Sequence, residues 1–304
     1  MLTSLISLYI AKSLNSSFDF NITASPSNIE PQAVKTASFD FSNLITTKKI
    51  PIKKTQFVSP IINAESSIAI DMETGTILYE KNAHRKREIA SITKLMTSLI
   101  IMEENEPTEI ATVTHNAATT EGSTMYLKPG EQITVENLLF GAIINSANDA
   151  AVTLAEHNAG STQEFVKKMN EKAKSLGLIN SHFSNPIGLD SSQNYSTSFD
   201  LAKLAQHIYN YDFIKKAAEV KEMKVTSVDG AFTHQLETTN ELLEDSYLNI
   251  KGLKTGHTQA AGLCLVSIAA NDDNKEILTI VLNSPARFKE TKILTDWVFR
   301  AYNW

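Results

Sequence analysis

The spacing of hydrophobic residues changes twice along the chain. In SSIAIDMETGTILYEKN, two runs rich in β-branched residues flank Glu73-Thr74-Gly75, which predicts a β-hairpin. Apolar residues then recur at i, i+3 and i+4, in a helix over residues 91–104 and in a mostly helical region over residues 105–220. After residue 220 the segments KEMKVTSVD, GLCLVSIAA and KEILTIVLNS have the character of strands, and ARFKETKILTDWVFRAY predicts a closing helix.

This order of elements predicts the fold class. A hairpin, then helices, then strands and a last helix indicate an α+β domain, whose antiparallel sheet is built from both ends of the chain. The helical region of about residues 105–220 is inserted between the two parts of the sheet. One domain over residues 59–304 is large enough to hold a cleft where its two parts meet, and a ligand site is expected in that cleft.

Residues 1–58 differ in composition from the rest. The short apolar run MLTSLISLYIA is followed by a stretch rich in Ser, Asn, Thr and Pro that continues to about Pro60. No apolar run reaches the roughly 18 residues that a membrane-spanning helix needs. The first run has the length of a secretory h-region, but no positive n-region precedes it and no A-x-A site follows it. An unusual signal segment and a disordered extension both remain open, and either one limits membrane contact to these residues.

Composition and charge exclude several classes of protein. With 42% hydrophobic and 20% charged residues, the 304-residue chain has globular composition. Its net charge is −6 and no Lys/Arg-rich run stands out, which argues against nucleic acid as a partner. A single cysteine excludes an internal disulfide or a CxxC metal site, and Cys264 is expected to be a buried strand residue. Seven histidines without HExxH argue against a zinc enzyme, so no metal or other cofactor is expected.

The helix predicted over residues 91–104 carries two polar residues at its start. Ser91 and Lys94 are three positions apart, so they share one helical face. A lysine in an apolar setting has a lowered pKa, so its neutral amine can accept the proton of a neighbouring serine. The free N–H groups at the start of the helix can stabilise an oxyanion. The structural alternative is an N-cap serine with a lysine that extends to solvent.

Two further motifs separate these alternatives. INSANDAA contains Ser146-Ala147-Asn148, and GLKTGHT contains Lys254-Thr255-Gly256. Together with Ser91-Ile92-Thr93-Lys94, they follow the order of the motifs in penicillin-interacting serine enzymes. Over residues 60–304 the segments GSTMYLKPGEQITVENLLFGAIINSANDAAVTLAEH, NYSTSFDLAKLA and IKGLKTGHTQAAGLCLV resemble the low-molecular-mass D-alanyl-D-alanine carboxypeptidases. The resemblance implies a serine β-lactamase/DD-peptidase-like fold and a peptidase that forms an acyl-enzyme.

The resemblance also implies a role for each residue of the first two motifs. Ser91 would be the acylated nucleophile and Lys94 its base. Ser146 would lie on a loop facing the cleft and pass a proton toward the leaving amine, assisted by Lys254. Asn148 would hydrogen-bond Lys94 and a peptide carbonyl of the substrate. These roles agree with what nucleophilic catalysis requires.

The third motif is implied to lie on an edge strand that borders the cleft. The ammonium group of Lys254 suits the terminal carboxylate of a substrate, and Thr255 can add a hydroxyl hydrogen bond. Gly256 would remove a side chain where the substrate backbone comes close. The backbone N–H groups of His257 and Ser91 would form the oxyanion hole, whereas the His257 side chain has no required role.

Further positions carry expectations of a different kind. Asn185-Pro186 and Gly188-Leu189-Asp190 are expected to shape a loop at the cleft wall. Asn240 resembles a family position whose role the sequence does not assign. No arginine lies between residues 230 and 245 to hold a substrate carboxylate, which leaves His234 as the candidate there.

Three other functions compete with that of a carboxypeptidase. A β-lactamase would need an E-x-x-L-N loop between residues 150 and 250, and only EDSYLN is present, with one residue too many and in a stretch predicted as strand. A non-catalytic relative would be expected to lack one of the three motif residues Ser91, Lys94 and Lys254. A D,D-endopeptidase that cuts peptidoglycan cross-links remains open. Lys251 stands where relatives often carry an acid, which affects substrate preference rather than chemistry.

Substrate, partners and location follow from the resemblance alone. Peptidoglycan pentapeptide stems are the expected substrates and β-lactams the expected inhibitors, with neither nucleic acid nor metal as a partner. The protein is expected to be exported and to act at the periplasmic or extracellular face of the cytoplasmic membrane. No further β-rich domain and no amphipathic anchoring tail are expected after the last helix.

Overall fold

The computed structural model describes residues 49–304. Its strands are β1 (Ile52–Lys53), β2 (Ser66–Asp71), β3 (Ile77–Lys81), β4 (Arg87–Glu88), β5 (Ile110–Thr112), β6 (Gln132–Thr134), β7 (Tyr195–Ser196), β8 (Glu222–Thr226), β9 (Thr233–Glu237), β10 (Asn249–Thr258), β11 (Gly262–Ala270), β12 (Glu276–Ser284) and β13 (Tyr302–Asn303). Its α-helices are α1 (Lys94–Glu104), α2 (His115–Ala118), α3 (Val135–Ile143), α4 (Asn148–Ala159), α5 (Thr162–Ser175), α6 (Ser198–Ile208), α7 (Asp212–Glu219) and α8 (Arg287–Ala301). Short 3₁₀ helices are formed by Ala90–Thr93 and Glu241–Glu244.

A five-stranded antiparallel sheet in the order β10-β11-β12-β2-β3 forms the centre of the domain. Its strands come from the two ends of the predicted domain, which confirms the α+β arrangement. The predicted hairpin is β2–β3, in which Ala69 pairs with Tyr79. At the opposite edge is β10, whose Lys254 lies across from Val266 of β11. The third motif therefore lies on an edge strand, as expected.

Alternating side chains give the sheet two apolar faces. One face, which includes Ile68 and Ile280, packs on the helical region in the larger of two cores. The other face, which includes Leu265 and Val281, packs on α8 in the second core. The sheet is therefore a middle layer between α8 and the helical region.

The region of residues 105–220 is mostly helical, as the apolar spacing predicts. The segment TVENLLFGAIINSANDAAVTLAEHN forms two helices, α3 and α4, which are separated by residues 144–147. The break contains Ser146, whose φ of 57° is left-handed and incompatible with a continuous right-handed helix. Hydrophobic spacing does not reveal the break, because apolar residues continue through it.

The folded domain begins before residue 59, so the predicted boundary is too late. Strand β1 pairs with β13, and the carbonyl oxygen of Val58 accepts a 2.7 Å hydrogen bond from Trp297 Nε1. A two-residue strand is too short for a hydrophobic period to predict. The rest of the predicted N-terminal segment, residues 1–48, lies outside the described residues. Within residues 49–304, no helix has both the length and the apolarity needed to cross a membrane.

Candidate active site

Ser91 lies in a tight turn that leads into a buried helix. Residues Ala90–Thr93 form a 3₁₀ helix, and α1 starts at Lys94 rather than at residue 91 as predicted. Ala90 has a left-handed φ of 48°, which turns the chain sharply just before the serine. Ile92 and Leu95 are fully buried, so the apolar residues of this segment anchor the turn in the core.

Two glycines allow neighbouring segments to contact the Ser91 turn. A Cβ atom at Gly188 would lie 1.9 Å from the carbonyl oxygen of Ala90. A Cβ atom at Gly256 would lie 3.0 Å from the carbonyl oxygen of Ile89. The loop after Asn185 and strand β10 thus approach the turn closely. Gly256 makes room for the protein's own backbone here, a role that the sequence analysis had assigned to substrate.

Lys94 is fully buried, and its Nζ atom contacts three polar groups. Nζ lies 2.9 Å from Ser91 Oγ, 2.6 Å from Asn148 Oδ1 and 2.8 Å from the carbonyl oxygen of Ile187. The last two oxygens only accept hydrogen bonds, so Nζ donates to both. The alternative of a lysine extended to solvent is therefore wrong.

The environment of Lys94 favours its neutral form. Burial lowers the pKa of Lys94 well below its usual value, the charge of Lys254 lowers it further, and Asp149 acts in the opposite direction. A neutral amine has two N–H bonds and one lone pair. The two N–H bonds match the oxygens of Asn148 and Ile187, which leaves the lone pair for the hydroxyl of Ser91. Lys94 can then accept the serine proton while both of its donors remain paired.

The second motif reaches Lys94 from the break between α3 and α4. Ser146 occupies the break and is 5% exposed, and among residues 49–304 its hydroxyl has no hydrogen-bond partner. Asn148 starts α4 and accepts from Lys94, as expected. Its Nδ2 atom donates to the carbonyl oxygen of Glu121 at 2.6 Å, and its backbone N–H donates to that of Ser123 at 2.6 Å. The amide group is thus fixed at both ends.

Residues 121–131 form a segment that wraps around the second motif, which we call the 121–131 segment. Asp149 is fully buried and accepts hydrogen bonds from the backbone N–H groups of Met125 at 3.1 Å and Leu127 at 3.0 Å. Asn145 Nδ2 donates to the carbonyl oxygen of Thr124 at 2.9 Å. The position of Asn148 beside Lys94 therefore depends on how firmly this segment is held.

His234 holds the 121–131 segment and does not face a substrate. Its Nδ1 atom lies 2.8 Å from the carbonyl oxygen of Met125, and its Nε2 atom lies 2.7 Å from Glu131 Oε1. Both side chains are buried. The suggestion that His234 binds a substrate carboxylate is therefore wrong, because both ring nitrogens already contact acceptors within the protein. The carbonyl oxygen of Met125 only accepts hydrogen bonds, so Nδ1 of His234 donates to it.

The third motif places a second buried lysine on β10. Lys254 is 1% exposed, and its Nζ atom donates to the carbonyl oxygen of Thr255 at 3.2 Å. Burial lowers the pKa of Lys254 to about 7, and the nearby charge of Arg287 adds to the effect. Lys254 is therefore an ammonium group that loses its proton easily unless an anion is bound. His257, three residues further on, is exposed.

Two residues beside β10 belong to none of the three sequence motifs. Arg287 starts α8, and its Nη1 atom donates to the carbonyl oxygen of Gly256 at 2.9 Å. Thr239 shares a short hydrogen bond with the hydroxyl of Thr255. No arginine lies between residues 230 and 245, whereas Arg287 comes from a distant helix, so no local spacing pointed to it.

The loop of residues 185–190 contacts the Ser91 turn and Lys94, while its place at a cleft wall stays a prediction. Asn185 Oδ1 accepts from the backbone N–H groups of Ile187, Gly188 and Leu189 at 3.2, 2.6 and 3.2 Å. Asp190 Oδ2 accepts from the N–H group of Ala260, at the turn after β10, at 3.3 Å. These bonds present the Ile187 carbonyl to Lys94 and tie the loop to the sheet edge.

The other residues singled out in the sequence make contacts within the fold. Cys264 is a buried residue of β11, as expected, and burial raises its pKa to about 11. Asn240 caps the 3₁₀ helix before β10, with Oδ1 accepting from the Leu242 N–H at 3.2 Å. The Nζ atom of Lys251 lies 3.6 Å from Oε1 of Glu219. EDSYLN, predicted as strand, spans the last residue of that 3₁₀ helix, a loop and the first residue of β10. The Nζ atom of Lys221 lies 3.0 Å from Oε2 of its Glu244.

The protein combines a serine hydroxyl in contact with a buried lysine, at the start of a helix, with a sheet layered between helices. This combination places it in the class of serine DD-peptidase folds. The solved structure of the Streptomyces K15 DD-transpeptidase matches 80% of this chain and all of its own length, with a TM-score of 0.75 and 30% identity. A family model described as D-alanyl-D-alanine carboxypeptidase matches residues 53–286. The chain therefore belongs to the D-alanyl-D-alanine carboxypeptidase family, which confirms the resemblance.

Characterised relatives give the extent of the similarity. The D-alanyl-D-alanine carboxypeptidase DacF of Bacillus subtilis (strain 168) is 37% identical over 247 residues, which are 79% of this chain and 63% of the relative. The D-alanyl-D-alanine endopeptidase of Escherichia coli (strain K12) is 32% identical over 244 residues, which are 79% of this chain and 78% of the relative. The chain thus spans less than two thirds of the length of the carboxypeptidase.

Proposed function

We propose that this protein is a serine D-alanyl-D-alanine carboxypeptidase that removes the terminal D-alanine from peptidoglycan stem peptides through an acyl-enzyme on Ser91. The observation that carries the proposal is the contact of a fully buried Lys94 with the Ser91 hydroxyl. A lysine whose pKa is lowered by burial serves as a base at neutral pH. Family membership supplies the substrate class.

Acylation begins with proton transfer from Ser91 to the neutral amine of Lys94. The serine oxygen then forms a bond to the carbonyl carbon of the penultimate D-alanine. The backbone N–H groups of Ser91 and His257 are the proposed donors to the oxyanion that develops. Asn148 and Ile187 keep their hydrogen bonds to Lys94 throughout, so the charged amine that forms has three acceptors around it.

The leaving D-alanine needs a proton as its C–N bond breaks. Ser146 is suited to deliver it, because it lies two residues before Asn148, which contacts Lys94, and its hydroxyl has no hydrogen-bond partner among residues 49–304. The proton that Lys94 took from Ser91 replaces the one that Ser146 gives up, assisted by the positive charge of Lys254, so Lys94 is neutral again when D-alanine leaves. Water then attacks the ester carbon while Lys94 accepts a proton from it, and Lys94 returns that proton to the Ser91 oxygen as the ester bond breaks and the shortened peptide leaves.

Two cationic side chains lie where the terminal carboxylate of the substrate is proposed to bind. Lys254 and Arg287 both lie beside Gly256 on the cleft-side edge of the sheet. Thr255 offers a hydroxyl that is already oriented by Thr239. A bound carboxylate would keep Lys254 protonated, because an adjacent negative charge raises a lysine pKa. This surrounding favours substrates that end in a free carboxylate.

Cleavage of cross-links is the second candidate. The match to the E. coli endopeptidase covers 78% of that relative, more than the match to the carboxypeptidase DacF does. In a cross-linked stem the D-alanine carbonyl is joined by an amide bond to a neighbouring stem instead of to a terminal D-alanine, so the same attack by Ser91 on that carbonyl carbon would split the dimer. We further propose that the protein is exported and meets both substrates at the cell wall.

Mass spectrometry of purified muropeptides treated with the protein tests the proposal. A carboxypeptidase shortens pentapeptide monomers by one alanine, whereas an endopeptidase splits dimers. Ser91→Ala should lose both products and covalent labelling by a fluorescent penicillin while keeping the same thermal unfolding. Labelling that persists in Ser91→Ala would place the nucleophile elsewhere.

The fate of a penicillin adduct distinguishes a peptidase from a β-lactamase. Within residues 49–304, Lys94 hydrogen-bonds no carboxylate that could activate a second water. General-base assistance is worth about 10²–10⁴ in rate, so the adduct should persist for many minutes. Intact-protein mass after brief exposure to benzylpenicillin measures this. Rapid return to the unmodified mass with steady drug turnover would identify a β-lactamase.

A further inference from the structure

Residues 49–61 carry an unusual combination of charge and apolar exposure. The segment KIPIKKTQFVSPI contains Lys49, Lys53 and Lys54 and no acidic residue, in a chain whose net charge is −6. Four of its apolar side chains are strongly exposed: Ile50 at 63%, Ile52 at 71%, Val58 at 87% and Ile61 at 86%. Soluble proteins seldom expose so many large apolar side chains together unless they bind something. We call these residues the 49–61 surface.

The 49–61 surface is held firmly against the domain. Its β1 strand pairs with β13. The backbone N–H of Lys54 donates to the carbonyl oxygen of Ala301 at 2.8 Å, and Trp297 Nε1 donates to that of Val58 at 2.7 Å. Phe57 packs on the second core. The exposed isoleucines are therefore displayed by a fixed backbone rather than by a loose tail.

The apolar exposure extends to the neighbouring edge of the sheet. Ile77, the first residue of β3, is 40% exposed and lines a groove together with Ser59 and Pro60. Lys81, at the other end of that strand, donates to the carbonyl oxygen of Ile62 at 2.6 Å. Lysines and apolar side chains thus share this corner of the domain, and the groove is also lined by one acidic residue, Glu80.

We propose that the 49–61 surface docks on an anionic membrane surface. Lysines attract anionic lipid headgroups, while exposed aliphatic side chains enter the boundary between headgroups and acyl chains. A purely anionic polymer would match the lysines but would leave Ile50, Ile52, Val58 and Ile61 in water. An apolar protein partner would match these four side chains and leave three lysines without a counter-charge. Only a surface that is anionic outside and apolar beneath satisfies both.

This docking leaves the cleft accessible. The 49–61 surface packs with the second core, on the α8 face of the sheet, through Phe57, and the next residue after the surface, Ile62, belongs to that core. The Ser91 turn belongs to the larger core on the opposite face, through Ala90 and Ile92. A membrane that touches the 49–61 surface would therefore hold the domain with its cleft on the other side of the sheet.

Co-sedimentation of the full chain with lipid vesicles tests this proposal without any reference to the catalytic function. The vesicles contain phosphatidylcholine alone or phosphatidylcholine mixed with phosphatidylglycerol. One variant removes the lysine charges: Lys49→Gln/Lys53→Gln/Lys54→Gln. A second variant removes the exposed apolar side chains: Ile50→Ser/Ile52→Ser/Val58→Ser/Ile61→Ser. A matched control, Lys174→Gln/Ile179→Ser, changes an exposed lysine and an 83% exposed isoleucine elsewhere.

We expect each variant of the 49–61 surface to bind phosphatidylglycerol vesicles at least about tenfold more weakly than the wild type and the control do. Added salt should weaken wild-type binding and leave the lysine variant unchanged. Every protein in the series shares residues 1–48, so any difference belongs to the surface, and unchanged thermal unfolding shows that the fold is intact. Equal binding by all variants, equal binding to both vesicle types, or capture by an isolated anionic wall polymer in place of vesicles would overturn the proposal.

Discussion

The two sides of the central sheet hold the chain by different means. On the α8 side, Leu294 and Trp297 pack in an apolar core, and Trp297 makes an edge-on contact with Tyr79. On the cleft side, the two lysines Lys94 and Lys254 are 0% and 1% exposed, and each depends on a few specific oxygens. The α8 side therefore contributes apolar burial, whereas the cleft side keeps ionisable groups away from water, which costs stability.

Backbone conformations show the same contrast. Residues 49–304 contain six non-glycine residues with left-handed φ, and three of them are asparagines: Asn82, Asn274 and Asn283. The other three lie in segments that border the cleft: Ala90, Tyr126 and Ser146. Asparagine tolerates this conformation, whereas for other residues it costs on the order of 1–3 kcal/mol. Strain is thus concentrated next to the nucleophile and the second motif, where it orients reacting groups.

The largest effect is expected from Lys94→Arg. A guanidinium stays protonated and cannot accept the Ser91 proton, so penicillin acylation should slow by about 10²–10⁴. Lys94→Met, which keeps an apolar stem of similar length, should be equally slow and at least as stable, since it removes a buried ionisable group. On the α8 side, Leu294→Ala should do the opposite, losing about 2–5 kcal/mol of stability with acylation unchanged. Acylation near the wild-type rate in Lys94→Arg would remove Lys94 as the base.

The His234–Glu131 pair offers a test of how the cleft is held. Glu131→Ala leaves His234 buried without its partner, so the free energy of unfolding should fall by about 3–5 kcal/mol, and acylation should slow as the 121–131 segment loosens around Asn148. Glu131→Gln should lose far less, because its amide can donate to Nε2 while Nδ1 donates to Met125. Urea unfolding and acylation rates measure both. Equal losses for the two variants would mean that the hydrogen bond to His234 does not hold the segment.

The pH dependence of substrate selection follows from Lys254. With a pKa of about 7, its ammonium group is lost as pH rises through 7, so binding of a terminal carboxylate should weaken above that pH. The ratio of kcat/KM for a peptide acid over its amide isolates this effect, because Lys94 acts equally on both. We expect the ratio to fall by up to about tenfold per pH unit above 7. A flat ratio between acidic and alkaline pH would assign carboxylate recognition to Arg287 alone.

The smallest effect is expected where strain is relieved. Ala90→Gly removes the Cβ that disfavours a left-handed φ, so stability should rise by up to about 1 kcal/mol despite the more flexible unfolded chain. Acylation should slow, because the turn before Ser91 is less constrained. Asn274→Gly, in the turn between β11 and β12, is the matched control and should change neither quantity appreciably. Destabilisation by Ala90→Gly would show that the turn is not strained.

Strongly periodic segments were predicted well because their signal is local. β11 coincides with the segment GLCLVSIAA, and α8 begins one residue after the start predicted for the closing helix. The start of the folded domain and the 3₁₀ helix at Ala90–Thr93 were missed, and the α3–α4 break was implied only by the resemblance, which put Ser146 on a loop. Each depends on a left-handed residue or a two-residue strand that only the packed structure stabilises, so no hydrophobic period marks it.

The sequence by itself was enough to predict which residues carry the proposed chemistry. Ser91 and Lys94 lie within one turn, and the Ser146–Asn148 and Lys254–Gly256 motifs are equally compact, so local spacing is enough to find them. Only the tertiary structure decided that burial lowers the pKa of Lys94, that Arg287 lies beside the third motif and that His234 holds the 121–131 segment. The reason is that burial and charge coupling are sums over neighbours from distant parts of the chain, and those sums exist only after the two sides of the sheet have packed.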